Sequence, residues 1–420
     1  MSTNPSSPPP EAHPGTPTLK QAAVTATNRS VLLGAIFLMA TSAIGSGFLI
    51  QSAVFTNQLR AAFAFAIIVS ILIDIAVQMN VWRVIGIAGM RAQDLANRVL
   101  PGYGWAMSAL ITTGGVVFNI GNIAGAGLGM NAMFGVDPKL SGLVTAGLAL
   151  LLFTSKKAGM ALDKILVILG FIMLSLALYV AVVSNPPVGD ALKNAVLPEE
   201  IDWLVITTLV GGTVGGFITY AGAHRMLDSG ETGPAHVRPV AISATTGILL
   251  TGLMRVLLFL AVLGVVAGGV VLNEEGNPMA QVFQAATGDI GMQLFGLVLW
   301  AAAVSSMIGC SYTSASFLVS QHESKRKLQN WLTVGLLVIS GIFVAFLGTA
   351  PTTMIVFAGA FNGLVLPMGF TMIMYVAIFR QKDLLFGYRY PKWLIAFGGV
   401  GVIVSWFLAW VSFESVFALL

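Results

Sequence analysis

Two stretches, Ala43-Ile44-Gly45-Ser46-Gly47-Phe48 and Gly211-Gly212-Thr213-Val214-Gly215-Gly216, place glycines in pairs halfway through apolar runs. The runs are 31–53 and 203–224, each long enough to cross a hydrocarbon core of about 30 Å as a helix. Glycine costs about 1 kcal/mol against alanine inside a helix and opens backbone angles closed to other residues. Paired glycines at mid-depth therefore invite unwinding, and unwound backbone is tolerated there only where it lines a cavity or is buried in protein. Interrupted spans at matching positions of two halves are the sequence sign of a transporter's binding site. Close helix packing through small residues is the competing reading of any one pair. Two matched clusters favour the break, while Gly121, Gly125 and Gly129, spaced by four in the third run, read as packing.

The composition around these stretches requires a membrane. Of 420 residues, 56% are hydrophobic and 9% charged, with a mean hydropathy of +0.88. A soluble domain carries roughly 25% charged residues. The apolar runs are continuous rather than alternating, which excludes a β-barrel and leaves an all-α membrane protein. About eleven transmembrane helices are expected: 31–53, 61–82, 106–133, 140–155, 163–184, 203–224, 240–271, 281–317, 328–348, 352–379 and 393–418. The run 281–317 is too long for one crossing and is expected to begin with an interfacial segment around Asp289. The matched breaks divide the transporter domain, 31–420, into repeat one at 31–184, repeat two at 203–380 and an extra helix at 393–418. Five helices per repeat give the two repeats opposite topologies, a five-plus-five inverted arrangement.

Lys and Arg concentrate in cytoplasmic loops. With the N-terminus inside, most of the 21 basic residues fall on the cytoplasmic side; only Arg60, Lys139 and Lys193 fall outside, and Arg255 lies in a span. The expected location is the inner (plasma) membrane, multi-pass, N-terminus cytoplasmic. The net charge of +4 thus reflects orientation in the lipid bilayer and implies no nucleic acid. Residues 1–30, with Pro5, Pro8, Pro9, Pro10, Pro14 and Pro17, read as a disordered cytoplasmic tail rather than a signal peptide. A single cysteine, Cys310, excludes an internal disulfide or a cysteine metal cluster and reads as a packing residue.

Leu33-Gly34-Ala35-Ile36-Phe37-Leu38 leading into Gly45-Ser46-Gly47-Phe48 resembles the first helix of the NRAMP metal-ion transporters. Gly212-Thr213-Val214 is similar to the entry to that family's sixth helix, Asn131-Ala132-Met133-Phe134-Gly135 to the end of its third, and Leu366-Pro367 to the middle of its tenth. The resemblance covers nearly all of 31–420 and implies the LeuT-type fold of five-plus-five inverted repeats. It also exposes departures. The family's helix 1 carries Asp-Pro-Gly-Asn, whose Asp and Asn bind the metal; those two positions fall on Gly45 and Phe48. Its helix 6 carries Met-Pro-His, matched here by Gly215, Gly216 and Phe217. The acids on its helix-3 proton route fall on Asn119 and Asn122.

A dehydrated divalent cation without a carboxylate faces a penalty of several kcal/mol. Carbonyls can partly hold Mg²⁺ that keeps most of its waters, so a hydrated Mg²⁺ or Mn²⁺ cargo stays open as the alternative, with no metal-ligating residues assigned. The residues present suit a small organic anion or amino-acid derivative of the 5-oxoproline kind, because bare N–H groups at the start of a half-helix favour anions. The resemblance adds a pointer the same way, since some bacterial relatives resembling this branch are associated with 5-oxoproline metabolism. The expected substrate-binding set is Ser42, Gly45, Ser46, Gly47, Phe48, Asn119, Asn122, Thr213, Gly215, Gly216, Phe217 and Tyr220.

Asp74 and Arg255 are conspicuous charges at membrane depth. They read either as coupling-ion ligand and counter-charge, or as a structural pair or snorkelling side chains. Ser305 and Ser306 are candidate Na⁺ ligands beside the first break. No resident cofactor is expected beyond a co-transported Na⁺ or H⁺. His224 reads as a cap at a helix end. Neither His-Glu-x-x-His nor Gly-x-Ser-x-Gly occurs, so the chain is not expected to be an enzyme. No repeated pore motif marks a channel. The oligomeric state is left open.

Overall fold

The computed structural model describes residues 45–419 except 229, 231, 234–236, 275 and 320–324, with side chains of 156–164 and 237–244 also outside the description. The N-terminal tail, the first part of span one and Ser42 lie outside the described residues.

Helix α1 (Ser46–Leu59) leads through a 3₁₀ turn into α2 (Phe63–Ala88), and the amphipathic α3 (Ala92–Val99) turns the chain into α4 (Tyr103–Phe134). There follow α5 (Pro138–Thr154), α6 (Lys156–Val183) and the short α7 (Val188–Val196). Span six is two helices, α8 (Trp203–Thr213) and α9 (Ile218–Asp228). The remainder is α10 (Val237–Ala267), α11 (Pro278–Phe317), α12 (Arg326–Phe346), α13 (Pro351–Phe379) and α14 (Lys392–Phe417). Among the described residues, nine stretches are long and apolar enough to cross a membrane, and α5 is a shorter apolar helix.

Local chemistry starts these helices where the sequence puts Asp or Asn ahead of a helical run. Asp137 and Asn277 each precede a proline at the first helical position and accept a backbone N–H from Leu140 (2.7 Å) and Ala280 (3.1 Å). Asp202 does the same for α8 through Val205 N. Helix α4 ends at Gly135, whose φ of 69° is the left-handed C-cap glycine readily adopts. Helix α11 has a non-helical joint at Gly288 (φ 72°, ψ −168°), so 278–287 forms a separate segment before the long helix, with exposed Asp289 at the joint.

Helix α4 occupies the middle of the bundle, packed mainly against α11 and α13. Its glycine row makes this possible. A Cβ at Gly121 would press on Ala358 of α13, one at Gly125 would collide with Ser46 of α1, and one at Gly129 with Trp300 and Gly296 of α11. Small residues thus admit three different neighbours along one face. Helix α8 lies as closely on α13, where Gly211 leaves no room for a side chain against the Gly359 carbonyl and the Gly363 backbone. Span six is buried almost throughout, whereas α14 turns Trp406, Trp410 and Phe413 outward, Trp410 with 85% of its surface free. A lipid solvent removes any penalty for such exposure.

Candidate functional site: the break in span six

Val214-Gly215-Gly216-Phe217 separates α8 from α9. The N–H groups of Val214 and Gly215 both turn back to the Val210 carbonyl, at 2.9 and 3.1 Å, so the ladder of α8 closes on itself. Gly216 then takes φ +52°, a conformation that costs an L side chain roughly 1–2 kcal/mol. A Cβ there would also collide with Asn362 Oδ1. Ile218 N bonds the Gly215 carbonyl at 3.1 Å and restarts the helix. The N–H groups of Gly216, Phe217 and Thr219 find no acceptor among the described residues, although all three residues are buried. At the start of α1 those of Ser46, Gly47 and Phe48 likewise find none among the described residues, the first ladder bond being Leu49 N to Gly45 O at 3.4 Å.

Around the start of α1 runs a chain of neutral hydrogen bonds. Ser46 Oγ donates to Asn122 Oδ1 (3.1 Å), Asn122 Nδ2 to Asn119 Oδ1 (3.4 Å), and Asn119 Nδ2 to Ser311 Oγ (2.6 Å). Ser306 Oγ lies 3.1 Å from where a Gly45 Cβ would stand and has no partner among the described residues. Of the two serines singled out in span eight, Ser306 is thus the one turned to Gly45; Ser305 is half-buried and no contact ties it to this group. Phe217 packs edge-on against Phe118 at 5.2 Å between ring centres.

The structure therefore brings Gly45, Ser46, Asn119, Asn122 and Ser306 into one group, and Gly215 and Gly216 against Asn362 in another. Thr213 faces Asp74, and Phe48 lies under Arg255. Gly47 stands beside Gln51. Tyr220 belongs elsewhere: its ring packs on Phe317 and His224, a full turn beyond the break. Two more buried polar side chains stand at the break, Gln51 and Asn362, of which the sequence singles out only Asn362, as a candidate ion ligand or interhelical hydrogen-bonding residue like Ser305 and Ser306. Gln51 donates to the Ile355 carbonyl (3.2 Å), and its Oε1, facing Gly212, has no donor among the described residues. Asn362 donates to the carbonyls of Gly114 and Ala358 and leaves Oδ1 unpartnered. Gln51 follows Gly47 by one helical turn, which is the only trace of it in the sequence.

Three expectations change. Asp74 and Arg255 form neither a contact pair nor a snorkelling pair: both are buried, and the ion pairs among the described residues are Arg91–Asp228, Lys193–Glu199 and Arg380–Asp383. They stay apart because each is held by a different element, Asp74 by Thr213 and Arg255 by Ser70. His224 is no interfacial cap. It is buried, accepts the Ala92 N–H at Nε2 (3.3 Å) and meets Ser316 Oγ at 2.8 Å through Nδ1, which makes it a neutral strut between α3, α9 and α11. Tyr220 stands outside the group at the break because α9 turns it toward α11.

Beside that strut, Arg91 joins Asp228 at 3.1 Å and donates to the carbonyls of Ser316 and Val319. Burial pushes the neighbouring Asp94 carboxyl above its ordinary range, against the pull of Arg91 and Arg98. A cavity of about 210 Å³ opens here between Gln93, Asp94, Trp105, Phe317 and Lys325, and it does not reach the break.

A family model, natural resistance-associated macrophage protein-like, matches residues 36–413. The chain belongs to the Nramp family. It is 46% identical over 385 residues to the uncharacterised membrane protein YcsG of Bacillus subtilis (strain 168), spanning 92% of this chain and 94% of that protein. An uncharacterised membrane protein of Haemophilus influenzae is also 46% identical, over 376 residues. Among solved structures, a variant of the Eremococcus coleocola manganese transporter superposes with a TM-score of 0.71 at 16% identity, covering 93% of this chain and 88% of that one. MhsT in complex with L-phenylalanine superposes with a TM-score of 0.63 at 16% identity, covering 90% and 98%. At such identities the likeness speaks for the fold, the LeuT-type arrangement of five plus five helices. This Nramp chain is a multi-pass membrane transporter.

Proposed function

We propose that this Nramp-family transporter carries a small organic anion, an amino-acid derivative of the 5-oxoproline kind, through a site between the start of α1 and the break of span six. The observation that carries the reading is the trio of buried N–H groups at Gly216, Phe217 and Thr219, which lie at the break and the opening of α9 and have no acceptor among the described residues. Such groups together with the helix dipole attract a carboxylate. The donor set supports the same cargo. Amide, hydroxyl and aromatic groups fill the positions around the break, and among the described residues no three His, Cys, Asp or Glu side chains come together to hold a metal. A cargo bearing an N–H as well as a carboxylate would also satisfy the unpartnered oxygens of Gln51 and Asn362.

Those same oxygens, with Ser306 Oγ, favour the second reading, a hydrated Mg²⁺ or Mn²⁺ ion. Purified protein in proteoliposomes separates the two. Saturable uptake of labelled 5-oxoproline or another small carboxylate, unaffected by Mn²⁺ and lost in Gly45→Leu, is the expected result. Saturable Mn²⁺ or Mg²⁺ uptake with no carboxylate uptake would replace the anion by the cation. The basic-residue bias supports a cytoplasmic N-terminus for a carrier held in the plasma membrane.

A further inference from the structure

Asp74 and Arg255 have no task in the reading above, yet each touches one half-helix of the candidate site. Asp74 Oδ1 accepts a hydrogen bond from Thr213 Oγ1 at 2.9 Å, and Thr213 is the last residue of α8. Arg255 sits with its guanidinium carbon 4.9 Å from the centre of the Phe48 ring, in the first turn of α1. It donates Nη1 to Ser70 Oγ (2.7 Å), and its Nε and Nη2 have no acceptor among the described residues. Both side chains are almost wholly buried, at 3% and 2% exposure. A charge in such a place is expensive and is kept for a use or a partner.

Of the elements packed on α2, α10 brings Arg255 to bear on Asp74 and α8 brings Thr213. The others carry their ionisable groups toward the two ends of α2. Arg60, Asp190, Lys193 and Glu414 belong to the end where α2 begins; Arg83, His224, Arg225, Asp228 and Lys392 belong to the end where it stops. Among the described residues, the groups acting on Asp74 are one cation, Arg255, and one hydroxyl, that of Thr213.

That hydroxyl serves both protonation states of the acid. Thr213 Oγ1 lies 2.9 Å from Asp74 Oδ1 and also 2.9 Å from the Leu209 carbonyl, and it has one proton to give. With Asp74 ionised, the hydroxyl donates to the carboxylate. With Asp74 protonated, the acid donates to Thr213 Oγ1, and the hydroxyl turns its proton to Leu209. The hydrogen bond between Thr213 and Asp74 is kept in either state. What changes is the charge: protonation removes the negative group that balances Arg255 and leaves a buried cation against the first turn of α1. In a medium of low dielectric that cation demands an anion.

We propose that Asp74 binds a co-transported proton and that Arg255 is the counter-charge thereby released for an anionic cargo, so that proton and anion load together. The proposal rests on the organic-anion reading. One proton and one monovalent carboxylate add no net charge to the site. By linkage, whatever factor protonation adds to anion affinity, the anion adds to proton affinity.

The proton half is tested without any cargo. Infrared difference spectra of the full-length protein in lipid, taken through a descending pH series, should show a protonated-carboxyl C=O band. The band should vanish in Asp74→Asn, persist at a shifted frequency in Asp74→Glu, and shift in Thr213→Val. The coupling half uses labelled 5-oxoproline in proteoliposomes. Accumulation driven by an inward proton gradient should fall about tenfold or more in Asp74→Asn, a factor within the usual range for coupled sites. Binding should tighten with falling pH in the wild type and lose that dependence in the variant. A band unchanged in Asp74→Asn, or gradient-driven accumulation equal to the wild type, overturns the proposal. If the wild type carries Mn²⁺ and no carboxylate, the cargo reading and the counter-charge role of Arg255 fall, while the band still decides whether Asp74 holds a proton.

Discussion

Two buried polar groups flank the start of α1, and they differ in kind. The chain Ser46–Asn122–Asn119–Ser311 is neutral and nearly complete, each amide or hydroxyl meeting the next. The group Phe48–Arg255–Ser70 with Thr213–Asp74 is charged and incomplete: among the described residues two Arg255 nitrogens have no partner, and its acid is held by another helix. A satisfied neutral network fixes a unique packing and asks for nothing more. A buried charge left short of partners is a standing demand for a ligand or a proton. The same few residues of α1 thus anchor the helix on one side and meet the chemistry of the cargo on the other.

That contrast can be broken in order of expected effect. Arg255→Leu leaves Asp74 as an unbalanced buried carboxylate and should cost about 3 kcal/mol or more of stability, seen as a lower Tm in detergent. Adding Asp74→Asn should restore most of the Tm and none of the carboxylate uptake. If the double variant stays as unstable as the single, the two side chains do not share an electrostatic balance. Asn119→Leu strands Ser311 and Asn122 together and should cost about 2 kcal/mol, the desolvation of groups left unpaired. Ser46→Ala strips one donor and should cost about 1 kcal/mol. Gly45→Ala meets the movable Ser306 hydroxyl most closely and Asn122 at ordinary contact distance, and should leave stability within about 0.5 kcal/mol of wild type, read as an unchanged Tm. A fall in Tm as large as that of Arg255→Leu in Ser46→Ala would mean that the neutral chain, not the charged group, dominates here.

Much of this architecture is legible in the residues. Continuous apolar runs mark the helices because lipid leaves the backbone no other partner, and Asp137, Asp202 and Asn277 fall at helix starts because their side chains satisfy the first N–H groups. The interruption at 214–217 is readable because four glycines in six residues leave little reason to stay helical, and Gly216 needs φ +52°. Pro367 makes the useful contrast: it sits in α13 without ending the helix, since packing around it supplies the lost order.

The site's other half is long-range. Asn362 reaches Gly114 across 248 residues and Gln51 reaches Ile355 across 304, and no local pattern encodes such a meeting. The choice between Ser305 and Ser306 is a matter of helix rotation, about 100° per residue, which α11 settles only by packing on α1 and α4. Asp74 and Arg255 invite pairing on charge alone; the structure parts them because Thr213 and Ser70 each hold one.

The central claim is that an anion sits where α1 begins and span six opens. Cys310 is buried and donates its thiol to the Gly115 carbonyl, so Cys310→Ala gives a cysteine-free background. In that background, Gly45→Cys places a thiol beside Ser306 and Asn122. The measurement is the rate at which an anionic methanethiosulfonate labels this thiol in proteoliposomes. The account predicts labelling that slows in proportion to added 5-oxoproline or a like carboxylate and is indifferent to Mn²⁺. Labelling slowed by Mn²⁺ and untouched by every carboxylate would contradict it.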